Sequence, residues 1–291
     1  MPTGALVLIL ISAGMHAGWN LLLKTARHKL AFNVFMHAGA ILIFSASWIV
    51  RRGGIPLPEG PVLPLAASAG FFFSLYHACL TASYERADLS LAYPLTTTGP
   101  LYIPLWAFLF LGERISPLGA AGILVVFAGA WILQMREVSR EGLIRPMRSL
   151  RLPGILPALA AGLFYSVGAV VDKRGVTEAD LFVYTYYLDI FLFLFLLGTA
   201  LLSSVSRDQF REEMRLHGRR ALAAGFVLFL SFLLYRIGLA QAKVSYAVSV
   251  RQASSVAGVA GWILLFGEPF GRIRLAGALL IAAGVICLRF G

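Results

Sequence analysis

Residues 109 to 130 read LFLGERISPLGAAGILVVFAGA, and residues 264 to 285 read LLFGEPFGRIRLAGALLIAAGV, in the same register 155 positions later. Without a gap, Leu109 meets Leu264, Gly112 meets Gly267, Glu113 meets Glu268, Gly122 meets Gly277 and Gly129 meets Gly284. The register continues upstream, where Ala87, Ser90 and Ala92 meet Ala242, Ser245 and Ala247. A period this long in so apolar a chain marks two related bundles of membrane helices. Repeats of that kind place ligand sites at their interface.

The 291 residues are 59% hydrophobic and only 13% charged, with a mean hydropathy of +0.80. That is too much apolar surface for a soluble domain of this length. The net charge of +11 does not indicate nucleic acid, because Lys and Arg fall mostly in short connections between apolar runs. There they serve topology and anionic headgroups. Cys79 and Cys287 both lie inside apolar runs, so no disulfide framework is supported. The first run has neither a basic stretch before it nor a convincing cleavage site behind it, and reads as a retained span.

A helix needs roughly 20 apolar residues to cross a bilayer core. Runs of about that length lie near 4–23, 31–50, 62–82, 88–111, 117–135, 153–171, 181–202, 221–240, 244–266 and 273–290. They divide five and five into repeats over 1–135 and 153–291, with a basic linker over 136–152. Five spans is an odd number, so the second repeat enters the membrane in the opposite sense. The fold expected is an all-α integral membrane protein of ten helices in two inverted five-helix repeats. Most Lys and Arg lie in the connections after spans 1, 3, 5, 7 and 9, which taken literally places both termini outside the cytoplasm.

A Gly-Glu at the end of the fourth helix of each repeat, followed by a short turn and a glycine-bearing fifth helix, resembles the EamA-type drug/metabolite transporter superfamily. The segment DLSLAYPLTTTGPL at 88 to 101 is similar to that family's Asp-Leu-Ser and Tyr-Pro signature, and HAGWNLLLK at 16 to 24 to its first helix. The second repeat departs from it, with Val248-Ser249 where the first has Tyr93-Pro94. The resemblance implies a carrier of small metabolites that works by alternating access without ATP, commonly as an exporter. Members are often described with cytoplasmic termini, against the charge bias, so orientation stays open.

Several polar residues within spans are candidates for recognising a solute. Arg251 lies inside the ninth span, where an arginine usually faces a cavity or a partner, and its fork of donors suits carboxylate or phosphate. Gln252, Ser249 and Ser255 lie within a turn of it. Asp189, near the middle of the seventh span, suits three roles: an ion pair with Arg251, contact with a solute ammonium, or uptake of a proton. His16, His37 and His77 also fall within spans. His37 and His77, with Asp189, are candidates for proton coupling. His16, Trp19, Asn20 and Lys24 recur at helical spacing along one face. The fourth span carries Pro94, Pro100 and Pro104 among Tyr93, Thr96, Thr97 and Thr98, which predicts a broken helix with exposed backbone. Thr96 and Thr97 occupy the repeat positions of Arg251 and Gln252. Tyr76, Tyr235 and Trp19 are placed to stack against a solute. Arg236, near the end of its span, is expected to snorkel to the headgroups.

Glu113 and Glu268 close spans just before a new helix starts. They are read as structural caps of the following helix, with Gly112 and Gly267 at the turn. No metal set, Gly-x-Ser-x-Gly or Walker loop is present, which counts against an intramembrane enzyme. No cofactor or metal is expected. The function expected is secondary transport of a small polar or zwitterionic, amino-acid-like metabolite by an exporter or exchanger. The alternative is a carrier of phosphorylated or phosphonate-type anions using Arg251 and Lys24, with a lipid flippase behind both. The partners expected are a small-molecule solute and the bilayer, with no nucleic acid. The protein is expected as a monomer or weak dimer in the cell membrane, the inner one if bacterial.

Overall fold

The structure, a computed structural model, describes residues 1–87, 95–133, 153–202, 206–266 and 271–291. Within these the chain forms eleven helices: α1 (Thr3–Lys24), α2 (Lys29–Arg52), α3 (Val62–Arg86), α4 (Gly99–Leu111), α5 (Pro117–Leu133), α6 (Ile155–Glu178), α7 (Leu181–Leu202), α8 (Arg207–Ala240), α9 (Val244–Arg251), α10 (Ala253–Phe266) and α11 (Arg272–Phe290). Helices α9 and α10 are two pieces of one span, so the described helices trace ten spans. Seven of the helices are long and apolar enough to cross a membrane unaided. An all-helical build follows from the solvent, because hydrocarbon offers no partner to a backbone amide. Large side chains such as Leu42, Phe108, Phe110 and Leu124 remain exposed on the outer surface, facing what is the bilayer of an integral, multi-pass protein. Tyr93, Pro94, Gly267, Glu268 and the 136–152 linker lie outside the described residues, as does the side chain of Lys24.

Helix α8 begins 14 residues before the span expected from 221, so the segment read as a connection is helical. The cause is a capping box. Gln209 N donates to Ser206 Oγ at 3.2 Å, and Ser206 N to Gln209 Oε1 at 2.8 Å. At about 1.5 Å per residue its 34 residues reach about 50 Å, well beyond a hydrocarbon core of about 30 Å. The projecting turns hold the α1–α2 connection. Arg27 pairs with Glu212, and His28 N donates to Glu213 Oε2 at 2.8 Å.

The duplicated segments pack against each other, α5 on α11. A Cβ added to Gly129 would meet Gly277 O at 2.8 Å, and one added to Gly277 would meet Gly129 O at 2.8 Å. Gly284 lies against Gly122 O in the same way, also at 2.8 Å. The two contacts are repeat equivalents of each other, since Gly129 corresponds to Gly284 and Gly277 to Gly122, so they are related by a pseudo-twofold axis, with backbones in contact where a methyl group has no room.

Elsewhere the repeats interleave rather than forming two bundles. Helix α1 packs on α8 and α10, and α2 on α8. By the same symmetry α6 packs on α3 and α4, and α7 on α3. Two four-span bodies result, α1–α2–α8–α9/α10 and α3–α4–α6–α7, each drawn from both repeats. They meet along α2 with α7, α4 with α9 and α6 with α8. Met1 N donates to Arg289 O at 2.9 Å and Arg289 Nη1 to Met1 O at 2.8 Å, so both ends of the chain lie on one side.

Candidate solute site

The fourth and ninth spans are interrupted at equivalent positions. In the first repeat the turn at Thr97 and the N-cap Thr98 precede α4. In the second, α9 ends at Arg251 and the chain turns at Gln252 before α10. Proline explains the first break and has no counterpart in the second. Thr98 Oγ1 donates to Leu95 O at 2.8 Å, satisfying a carbonyl freed there. Its neighbour Gly99 presses on the Tyr165 ring of α6.

Arg251 is the last residue of α9 and 8% exposed. Its guanidinium carbon sits 4.2 Å from the Tyr235 ring centre and 4.7 Å from that of Phe232, both on α8. Nη2 lies 3.3 Å from His16 Nδ1. An arginine only donates, so Nδ1 accepts and the ring proton of a neutral His16 is on Nε2. Trp19 meets the His16 ring edge-on at 4.8 Å, and its buried indole N–H has no hydrogen-bond partner. Asn20 Nδ2 donates to His16 O at 2.8 Å. His16, Trp19 and Asn20 are only half-buried. Among the described residues no carboxylate pairs with Arg251.

Asp189 is not the partner of Arg251. Its Oδ1 lies 2.8 Å from His37 Nδ1 on α2, with both side chains buried, and Oδ2 is buried without a partner. The helix order brings α2 rather than α9 alongside α7. His77 on α3 is exposed and within electrostatic reach of His37. Tyr76 packs 5.4 Å from the ring of Tyr165, which is itself within electrostatic reach of Arg251. Ser249 is fully buried and donates to Ser245 O at 2.8 Å, so its hydroxyl is engaged by its own helix. Gln252 and Thr97 are half-buried at the two breaks.

Arg236 does not snorkel. It is 3% exposed, and its Nε donates to Asp172 Oδ1 on α6 at 2.9 Å. Asp172 sits beside Lys173 and Arg174 in the sequence, and such a cluster reads as an interfacial end rather than as half of a buried pair. Phe232 was likewise unmarked by any motif, and only its position one turn before Arg236 and three residues before Tyr235 sets it beside Arg251. Glu113 caps a helix, but not the following one. Its Oε1 accepts from Val244 N at 2.8 Å and its Oε2 from Ser245 Oγ at 3.4 Å, at the start of α9 in the other repeat. Gly112 closes α4 at φ +65, a left-handed turn that favours glycine.

The model of the EamA-like transporter family matches this chain twice, over residues 3–135 and 152–290. The chain belongs to the EamA-like transporter family. It is therefore a membrane transporter of the drug/metabolite type, handling a small-molecule solute within a lipid bilayer. No curated protein matches the chain. A solved structure titled "Crystal structure of protein" is similar to it with a TM-score of 0.78 at 17% identity, over 100% of this chain and 98% of that one. At that identity the likeness shows the fold alone.

Proposed function

We propose that this EamA-like transporter is a secondary carrier, an exporter or exchanger, for a small amphipathic metabolite bearing one carboxylate, of which an amino acid is the type. The observation that carries this reading is Arg251, buried against two rings with no carboxylate in contact. Stacking on aromatic faces is worth about 0.5–2 kcal/mol, whereas removing an ion from water costs several. The deficit is offset when an anionic group enters beside the guanidinium. The unpartnered Trp19 N–H adds a second donor to the same neighbourhood, and the Phe232, Tyr235 and Trp19 rings suit an apolar side chain. Among the described residues Arg251 is the one cation at these rings without a carboxylate, since Arg236 is already neutralised by Asp172, and a single cation fits a monoanion better than a phosphate dianion.

Alternating access follows from two interleaved bodies that rock about their seams at α2–α7 and α4–α9, turning Arg251 and the two helix breaks to each side in turn. Protein in liposomes, preloaded with amino acids, sugars or phosphorylated compounds and tested by counterflow, checks the reading. An amino acid or related carboxylate is expected to exchange. Arg251→Ala is expected to slow that exchange about ten- to a hundredfold, the worth of a hydrogen bond to a charged group, with Arg251→Lys between the two. Exchange confined to phosphorylated compounds, or undiminished by Arg251→Ala, would overturn it.

A further inference from the structure

Asp189 and His37 are a second polar site, apart from Arg251. The carboxylate is 5% exposed and His37 7%, in the middle of two packed spans. One carboxylate oxygen is 2.8 Å from His37 Nδ1, and the other has no hydrogen-bond partner. One turn earlier on the same face of α7, Thr185 Oγ1 is also buried and unpartnered. Every helix packed against this stretch has a titratable or charged group to consider. From α2 comes His37 itself. From α3 comes His77, exposed and within electrostatic reach of His37. From α8 comes Arg236, within electrostatic reach but paired with Asp172 of α6 at 2.9 Å. On α7 itself, Tyr186 has its hydroxyl 2.8 Å from Ser45 Oγ. Among the described residues no Lys or Arg pairs with Asp189.

We propose that Asp189 and His37, buried between α7 and α2, form a proton-binding site that fills and empties as the two bodies of the carrier move against each other. In its anionic form the imidazole Nδ1–H donates to Oδ1, leaving a net charge of one on a buried carboxylate whose other oxygen lacks a partner. Such an arrangement is costly without water. A proton taken up from water forms an O–H bond at Oδ2. The carboxylate becomes a neutral acid and the pair carries no net charge, and reversal breaks that bond and returns the proton to water. A metal ion fits poorly, since hard cations take six or more oxygens and this pocket offers Oδ2 and the Thr185 hydroxyl. The site does not depend on which solute Arg251 takes.

Infrared pH-difference spectroscopy of the reconstituted carrier, with isotope-labelled aspartate and no solute present, tests this. An aspartic-acid carbonyl band is expected to grow as pH is lowered and to be absent in Asp189→Asn. His37→Leu removes the donor to the anionic form, so the midpoint of that band is expected to rise by about one to two pH units, the equivalent of one hydrogen bond to a charged group. Thermal unfolding in detergent verifies that both variants are folded, and the two substitutions serve as independent checks. A band that persists in Asp189→Asn, or a midpoint indifferent to His37→Leu, overturns the proposal. Arg251→Ala is expected to leave the band in place, so failure here and failure of the solute reading are separate results.

Discussion

Two arginines lie buried against the same phenylalanine, and only one has a counter-ion. The Phe232 ring is 5.4 Å from the Arg236 guanidinium carbon and 4.7 Å from that of Arg251, yet Arg236 has Asp172 and Arg251 has only rings and an imidazole. The substitution outcomes therefore differ. Asp172→Leu strands Arg236 and is expected to destabilise the protein by about 3–5 kcal/mol, whereas removing both charges together is expected to recover most of that. Arg251→Met strands no charged partner, only the half-buried His16 Nδ1, and is expected to leave stability unchanged or raised while slowing exchange as Arg251→Ala does, the pattern of a residue kept for function. Unfolding titrations in mixed detergent micelles measure all three. A single Asp172→Leu variant as stable as the parent would contradict this account of the pair.

At the level of the helix, the decisive features are ends and interruptions. Helix α9 starts where Glu113 receives its first amide and the Ser245 hydroxyl, and where Lys243 Nζ donates to Arg114 O at 2.7 Å. The turn after α4 is thereby clamped to the start of α9, seven residues before Arg251. Glu113→Ala is expected to cost about 1 kcal/mol, as the loss of an N-cap does, seen as a lowered melting temperature. Because α9 sets the position of Arg251, it is also expected to raise KM for the exchanged solute more than it lowers kcat. An effect on melting alone would make Glu113 a cap with no influence on the site. The break at Gln252 has no proline or glycine of its own. It stands at the repeat position of Thr97, where the first repeat is interrupted.

For the whole molecule, covalent order and spatial order separate. Ser12 on α1 and Ser231 on α8 lie 3.4 Å apart at Oγ, within one body although 219 residues apart in sequence. Ser45 on α2 and Tyr186 on α7 touch at 2.8 Å across the seam between bodies. In a background lacking Cys79 and Cys287, cysteines at 12 and 231 joined by a short thiol cross-linker are expected to leave counterflow intact. Cysteines at 45 and 186 joined by the same reagent are expected to stop it, with activity restored when the link is cleaved. The reverse result would mean that the moving units are the repeats themselves.

What the chain alone determined was the solvent and the symmetry. Apolar run length decides how many helices cross a bilayer, and a duplicated register decides that they come as two fives; both are local properties that need no contacts. The same register located Arg251 opposite the proline-broken fourth span. Partnership was another matter. That Asp189 meets His37 rather than Arg251, that Arg236 meets Asp172, and that Glu113 caps the other repeat's helix were decided only when α2, α6 and α9 were brought against their neighbours. An ion pair or a cap depends on a separation of a few ångströms between groups 64 to 152 residues apart. Helical periodicity carries no information about that separation, because many packings of the same ten spans satisfy it.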